Sequence, residues 1–347
     1  MSLTVEIRKN IGEFRLDAAF ETDGGVSGLL GASGSGKSMT LMCIAGVVKP
    51  DSGKIVLNGT TLFDSERRIN LTPQQRRVGY LFQNYALFPN MTLRQNIMCG
   101  LHKEKSPQKK ENIFQEMIEL MQLSGLENRR PGQLSGGQQQ RTALARILVG
   151  DPGLLMLDEP FSALDSHLRE QLQVETQKLL ERFGKDALLV THNRDEAYHL
   201  CGKIALIDSG KIIAHKDTKG LFSDPGSRQA AILTGCKNIA DAKKTGDYEI
   251  FITDWNLRFT TSKPVRDDLC AVGVRAHNFA PSIAENRFPV RVTNEIEKPF
   301  EYNIQFRYEN QQKKSRDIWW LVPKEKRTQQ PPSELGVAPE DIMLLYK

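Results

Sequence analysis

The octapeptide Gly31-Ala-Ser-Gly-Ser-Gly36-Lys37-Ser38, set between the apolar runs Val26–Leu30 and Met39–Ala45, constrains this chain more than anything else in it. Glycines at these spacings let backbone N–H groups close around an anion. A helix that follows turns the positive end of its dipole toward the same point. The pattern G-x-x-x-x-G-K-[ST] works only as a strand, loop and helix in that order, and the flanking runs supply both. Ser33, Gly34, Ser35 and Gly36 are the expected N–H donors to phosphate oxygens. Lys37 is placed to reach the β- and γ-phosphates, and Ser38 to ligate Mg²⁺ through its hydroxyl.

The length of 347 residues suggests two domains, and 39% hydrophobic residues suffices for ordinary cores. No apolar run approaches the roughly 20 residues of a bilayer-spanning helix. The start Met-Ser-Leu-Thr-Val-Glu-Ile-Arg-Lys alternates like a strand, unlike an export signal, which leads us to expect a cytosolic chain. A net charge of +5, mixed in sign, does not point to nucleic acid. The clusters Arg67-Arg68, Arg76-Arg77 and Lys324–Arg327 read as solvated surface. Five scattered cysteines without a C-x-x-C pair fit reduced thiols and argue against zinc or a disulfide framework.

Residues 4–83 alternate short β-rich runs with glycine turns. From 93 to 150 the spacing becomes helical, with Ile113, Met117, Leu120 and Met121 on one stripe and another over Thr142–Val149. Strand Leu154–Leu157, helix Leu168–Phe183, strand Ala187–Thr191, helix Arg194–Cys201 and strand Ile204–Asp208 then restore the β/α pattern. This predicts an α/β nucleotide-binding domain over 1–235, with a helical subdomain inserted at about 85–150. The segment 236–347 changes class. Tyr248–Thr253, Leu257–Thr261, Cys270–Arg275, Phe288–Val292, Glu301–Tyr308, Ile318–Val322 and Ile342–Tyr346 predict a small all-β, barrel-like domain.

Further motifs accompany the phosphate loop. Leu154-Leu-Met-Leu ends in Asp158-Glu159-Pro160, followed by Ser162-Ala-Leu-Asp165; His192 ends the run Leu188-Leu-Val-Thr; Gln83 follows Val78-Gly-Tyr-Leu-Phe; and Leu134-Ser-Gly-Gly-Gln-Gln-Gln-Arg141 opens a helical stretch. The ordered set resembles the nucleotide-binding subunit of ABC transporters over about two thirds of the chain, and so implies a P-loop NTPase fold. The resemblance implies that Asp158 orients Mg²⁺ and its waters, that Glu159 polarises the attacking water, and that His192 hydrogen-bonds the γ-phosphate. It further implies that Gln83 senses Mg²⁺ and that water and that Asp165 belongs to the D-loop. Ser135, Gly136 and Gly137 would cap the ATP held by a second copy in a head-to-tail homodimer. The other histidines have no such context.

Adenine stacking is the least marked feature: Ile11 stands where an aromatic is expected, with Phe14 nearby. Tyr85, Leu87 and Phe88 read equally well as an exposed socket for a permease helix or as core. One cassette followed by a β domain resembles importer ATPases, and Arg68–Tyr80 and Gly273-Val-Arg-Ala-His277 are similar to segments of the molybdate and sulfate group, whose β domain is OB-like. This implies ATP and Mg²⁺ as ligands and two transmembrane permease subunits as partners, fed by an external binding protein. The location implied is peripheral, on the cytoplasmic face of the membrane. Spermidine or sugar import is the alternative, and a soluble cassette ATPase a more distant one. The β domain is either a dimerisation module or an effector site for the imported oxyanion, with Lys237, Arg275 and Ser282 available to bind it.

Overall fold

A computed structural model describes residues 2–162, 166–327 and 330–347. Contacts divide the chain into Met1–Thr218 and Lys219–Lys347.

The first unit opens with β1 (Leu3–Ile11), β2 (Phe14–Thr22) and β3 (Val26–Leu30), then α1 (Lys37–Ala45). β4 (Ser52–Leu57), β5 (Thr60–Asp64), β6 (Ile69–Asn70), α2 (Pro73–Arg76) and β7 (Val78–Leu81) follow. The helical insertion comprises α3 (Leu93–Gly100), α4 (Pro107–Leu120) and α5 (Gly136–Leu148). The chain continues through β8 (Leu154–Asp158), α6 (Ser166–Phe183), β9 (Asp186–Thr191), α7 (Arg194–Leu200), β10 (Lys203–Asp208) and β11 (Lys211–Asp217). The strands form one sheet, ordered β6-β5-β4-β1-β2-β11-β10-β3-β9-β8-β7. Strands β10, β3, β9, β8 and β7 run parallel. Every residue of β8 and β9 is buried, as befits parallel strands covered on both faces. Leu41, Cys43 and Ile44 of α1 pack on the sheet with no exposed surface.

The inserted helices begin where side chains satisfy free N–H groups. Thr92 with Gln95 and Ser135 with Gln138 form capping boxes, and Ser106 caps α4 ahead of Pro107. Of the expected stripe, Met121 is buried and Ile113 and Met117 are half-buried, but Leu120 is not covered. Phe114 and Ile118 are the buried residues of the helix, and Leu120 is exposed. Two apolar stripes overlap in this sequence, and the Arg94 guanidinium 4.6 Å over the Phe114 ring favours the one that turns inward.

Arg76 corrects a second expectation. It is not solvated surface but 1% exposed, donating from Nη1 to the carbonyls of Cys43 (2.7 Å) and Ile44 (2.8 Å) and from Nε to that of Leu71 (2.9 Å). It thereby closes the carboxyl end of α1, whose terminal carbonyls have no helical partner.

The second unit begins with the short helices α8 (Thr218–Ser223) and α9 (Arg228–Leu233). Its strands are β12 (Asn238–Gly246), β13 (Glu249–Ile252), β14 (Leu257–Thr260), β15 (Leu269–Val274) and β16 (Phe279–Ala280), then β17 (Phe288–Glu297), β18 (Glu301–Tyr308), β19 (Ile318–Pro323), β20 (Glu334–Val337) and β21 (Ile342–Tyr346). They form sheets β14-β13-β12-β15-β21 and β16-β20-β17-β18-β19, whose inner faces share one core. The domain is all-β and barrel-like. It starts earlier than residue 236 because α9 lies against β15 and β21, where Ala231 joins Ala271, Met343 and Leu345 in a small apolar cluster.

Candidate active site

Three parallel strands end side by side. Leu30 is level with Thr191, and Asp158 with Val190, so the residues following β3, β8 and β9 emerge at one edge. Ligands of parallel sheets lie outside such carboxyl ends. Gly36 caps α1 with φ 106°, a left-handed conformation open to glycine, and no side chain takes up the helix's first N–H groups. Ser35 Oγ is buried in the loop with no partner among the described residues. A loop lined by uncapped N–H groups and an orphaned hydroxyl fits an anion.

Lys37 is 4% exposed and donates to the carbonyls of Gly31 (3.0 Å) and Ala32 (2.9 Å), with Glu159 Oε1 3.7 Å away. Burial pushes its pKa down, and Glu159 opposes that shift. Ser38 Oγ donates to Asp158 Oδ1 at 2.9 Å, and the Tyr80 hydroxyl donates to Asp158 Oδ2 at 2.9 Å. Burial raises the Asp158 pKa, against the pull of these two hydrogen bonds. Oxygen donors from Ser38 and Asp158 side by side fit Mg²⁺, which commonly takes only one or two protein carboxylates. Among the described residues no group of three or more His, Cys, Asp and Glu is placed to hold a metal ion.

Glu159 has φ 46°, rare for a residue with a side chain and concentrated at functional sites. Its N–H donates to the Val190 carbonyl at 2.9 Å, and its Oε2 lies 3.1 Å from His192 Nδ1. The turn carrying His192 is held rigidly. Thr191 Oγ1 donates to Glu196 Oε2 (2.6 Å) and accepts from Asn193 N (2.9 Å), while Asn193 caps α7. Gln83 Nε2 donates to Ser162 Oγ at 3.2 Å, and Ser162 Oγ donates to the Glu159 carbonyl at 2.9 Å.

Lys37, Ser38, Asp158, Glu159, His192 and Gln83 thus form one connected set. Tyr80 and Ser162 belong to it too; both lie inside the motifs quoted above, where neither was given a role. Phe14 is partly buried, and its ring tip would lie 3.0 Å from a Cβ on Gly36, so it flanks the phosphate loop. Ile11 is 40% exposed. Ser135 accepts from Gln138 N at 3.3 Å in its own capping box; Ser135 and Gly136 are exposed and Gly137 is buried. Asp165 lies outside the described residues. Tyr85 is core, whereas Phe88 is 47% exposed beneath the Arg146 guanidinium.

The sequence profile of the ABC transporter family matches residues 21–162. The molybdenum import ATP-binding protein ModC of Paramagnetospirillum magneticum is 39% identical over 67% of this chain and 63% of its own length. The putrescine transport ATP-binding protein PotG of Escherichia coli is 41% identical over 62% and 56%, so the chain spans less than two thirds of either relative. The sulfate/thiosulfate import ATP-binding protein CysA of Thermosynechococcus vestitus is 39% identical over 69% of this chain and 71% of its own. Among solved structures, the ATP-binding cassette MJ0796, a dimer in a post-hydrolysis state bound to ADP and Pi, superposes with a TM-score of 0.53 at 28% identity, over 63% of this chain and 99% of that one. With a buried lysine and a left-handed glutamate meeting at the ends of β3 and β8, this chain belongs to the ABC transporter ATP-binding family.

Proposed function

We propose that this chain hydrolyses ATP to power an importer, acting as a head-to-tail homodimer on the cytoplasmic face of a membrane with two permease subunits. The observation that carries this reading is Glu159, held in a left-handed turn between Lys37 (3.7 Å) and His192 (3.1 Å). Its carboxylate accepts a proton from water as that water approaches the γ-phosphate, and His192 orients the carboxylate and donates to the phosphoryl oxygens. Lys37 leaves its loop carbonyls to pair with the β- and γ-phosphates; Ser33, Gly34, Ser35 and Gly36 surround them. Ser38, Asp158 and Gln83 would hold Mg²⁺, which would supply charge neutralisation to a reaction governed by positioning. Phe14 stacks on the adenine. Ser135, Gly136, Gly137 and Asp165 serve the site completed by the second copy, a reading supported by the dimeric ADP-bound relative.

The transported substrate in this proposal is a tetrahedral oxyanion (molybdate, tungstate or sulfate), in keeping with the names of two relatives. Similarity to a putrescine transport protein favours a polyamine as the second reading. An oxyanion effector on the C-terminal unit would use Lys237, which lines a cavity of about 890 Å³, more readily than Arg275, whose guanidinium is engaged by the carbonyls of Phe222 and Thr234. Ser282 is exposed.

The test is Glu159→Gln. The variant is expected to bind Mg-ATP, to hydrolyse it at least about a hundredfold more slowly, and to accumulate as a nucleotide-bound dimer. Wild-type turnover would remove Glu159 from the chemistry. Uptake by the complex with its permease, tested with molybdate, sulfate and putrescine in turn, decides between the substrates.

A further inference from the structure

We infer that the Tyr80 hydroxyl sets the cation preference of the site by holding one oxygen of Asp158, so that Mg²⁺ is favoured over Ca²⁺. The inference rests on the nucleotide and Mg²⁺ reading proposed above. Asp158 is 6% exposed, and its carboxylate takes two side-chain hydrogen bonds among the described residues. Ser38 Oγ donates to Oδ1 and the Tyr80 hydroxyl to Oδ2, both at 2.9 Å. Ser38 is itself a proposed cation ligand, so Oδ1 lies on the cation's side and Oδ2 is turned to the neighbouring strand. Tyr80 is level with Met156 in the parallel pair of β7 and β8. Side chains alternate along a strand, so Met156 and Asp158 share a face, about 6.6 Å apart along β8, and the phenol bridges that distance. The half-buried Tyr80 ring packs on the core of the first unit and stacks on Phe82 with centroids 4.2 Å apart. Those contacts need only the ring; the hydroxyl serves Asp158.

A carboxylate that ligates a metal is ordinarily oriented by a further hydrogen bond, and that partner governs affinity. A carboxylate free to turn can offer both oxygens to one cation. Ca²⁺ accepts this readily, because its shell is large and flexible. Mg²⁺ is smaller and demands a nearly ideal octahedron, which a single oxygen held in place suits better. With Oδ2 engaged by Tyr80, Asp158 offers Oδ1 alone. The neutrality of the phenol matters too. An ammonium or guanidinium on Oδ2 would fix the carboxylate equally well but repel the cation beside it, whereas a hydroxyl adds no charge. Tyr80 acts through Asp158, and is therefore a positioning residue.

The test is nucleotide binding without turnover. Full-length wild-type and Tyr80→Phe chains are titrated with the fluorescent, non-hydrolysable analogue mant-AMP-PNP in Mg²⁺, in Ca²⁺ and in EDTA. Tyr80→Phe keeps the ring and its stacking on Phe82 and removes only the donor. Its Kd is expected to rise by about tenfold or more in Mg²⁺, and by less than about twofold in Ca²⁺ and in EDTA. An unchanged Kd in Mg²⁺ would overturn the inference, and so would a rise of the same size in Ca²⁺. A rise of the same size in EDTA would make Tyr80 a packing residue and overturn it as well. Wild-type binding that is as tight in EDTA as in Mg²⁺ would instead overturn the Mg²⁺ reading beneath it, an outcome visible before any variant is made. If Tyr80→Phe does not fold, Tyr80→Met, which also lacks the hydroxyl, is judged by the same three constants.

Discussion

Arg76 heads the fully buried side chains by volume among the described residues, and its partners are backbone carbonyls and the Asn70 side chain. Nothing in Gln-Gln-Arg-Arg announces this, because its acceptors at Cys43 and Ile44 lie in a distant part of the chain. A run of charged residues normally belongs at the surface, and only the assembled fold supplies carbonyls to reverse that. Gly46, at φ 79°, completes the arrangement: a Cβ there would meet Arg76 Nε at 2.6 Å. Arg76→Met keeps the hydrocarbon stem but takes the guanidinium away from the carbonyls of Ile44, Leu71 and Cys43, of which Cys43 keeps a bond from Gly46 N, and should cost about 2 kcal/mol by chemical denaturation. A loss under about 1 kcal/mol would mean water replaces the guanidinium at little cost. The proposed catalytic set contrasts with this. In the proposed site, Lys37 and Ser38 are marked by their loop pattern, and Asp158, Glu159 and His192 by their place at or just past the ends of apolar strands, which a parallel sheet brings together. Tyr80 and Ser162 were not, since a tyrosine in a β-strand and a serine in a turn are common for reasons unrelated to a site.

At the scale of elements, the segment between Gln83 and α3 has little regular structure, yet one side chain organises it. Asn96 has no exposed surface; it accepts from Phe88 N at 2.9 Å and donates to the carbonyls of Phe88 (3.2 Å), Met91 (3.2 Å) and Thr92 (3.1 Å). The loop that exposes Phe88 is therefore fixed from inside the helical insertion. Asn96→Ala should cost about 2 kcal/mol and speed amide exchange over 86–92 while exchange in β8 and β9 stays slow. Uniform acceleration across the unit would instead point to global destabilisation. Elements were most legible where large apolar residues mark the period, as in β8, β9 and β18. Strand β12 escaped because its buried positions are Asn238, Ala240 and Ala242, too small or polar to signal alternation. On α4 the difficulty was the reverse, with apolar residues on too many positions to specify one face.

For the molecule as a whole, the division between units has a measurable consequence. Composition changes near residue 236, where β-rich sequence begins, and a cut there looks natural from the sequence. The contacts place the division at 218, because α8 and α9 are bound into the second unit. Ala231 has no exposed surface against Ala271, Met343 and Leu345; Tyr346 N donates to the Gly226 carbonyl at 2.9 Å; and the Arg275 guanidinium binds the carbonyls of Thr234 and Phe222. A fragment starting at 236 keeps the main core of both sheets yet exposes one side of β15 and β21 and removes the Phe222 and Thr234 carbonyls that Arg275 binds. We expect residues 219–347 to unfold cooperatively in urea. Residues 236–347 should be less stable by roughly 3 kcal/mol, the scale of losing a few buried side chains with their hydrogen bonds. Arg275→Met in the longer fragment should reproduce part of that loss, since it removes the same carbonyl contacts and leaves the helices in place. Equal urea midpoints for the two fragments would show that the helices are passengers on a barrel complete without them, and would return the boundary to 236.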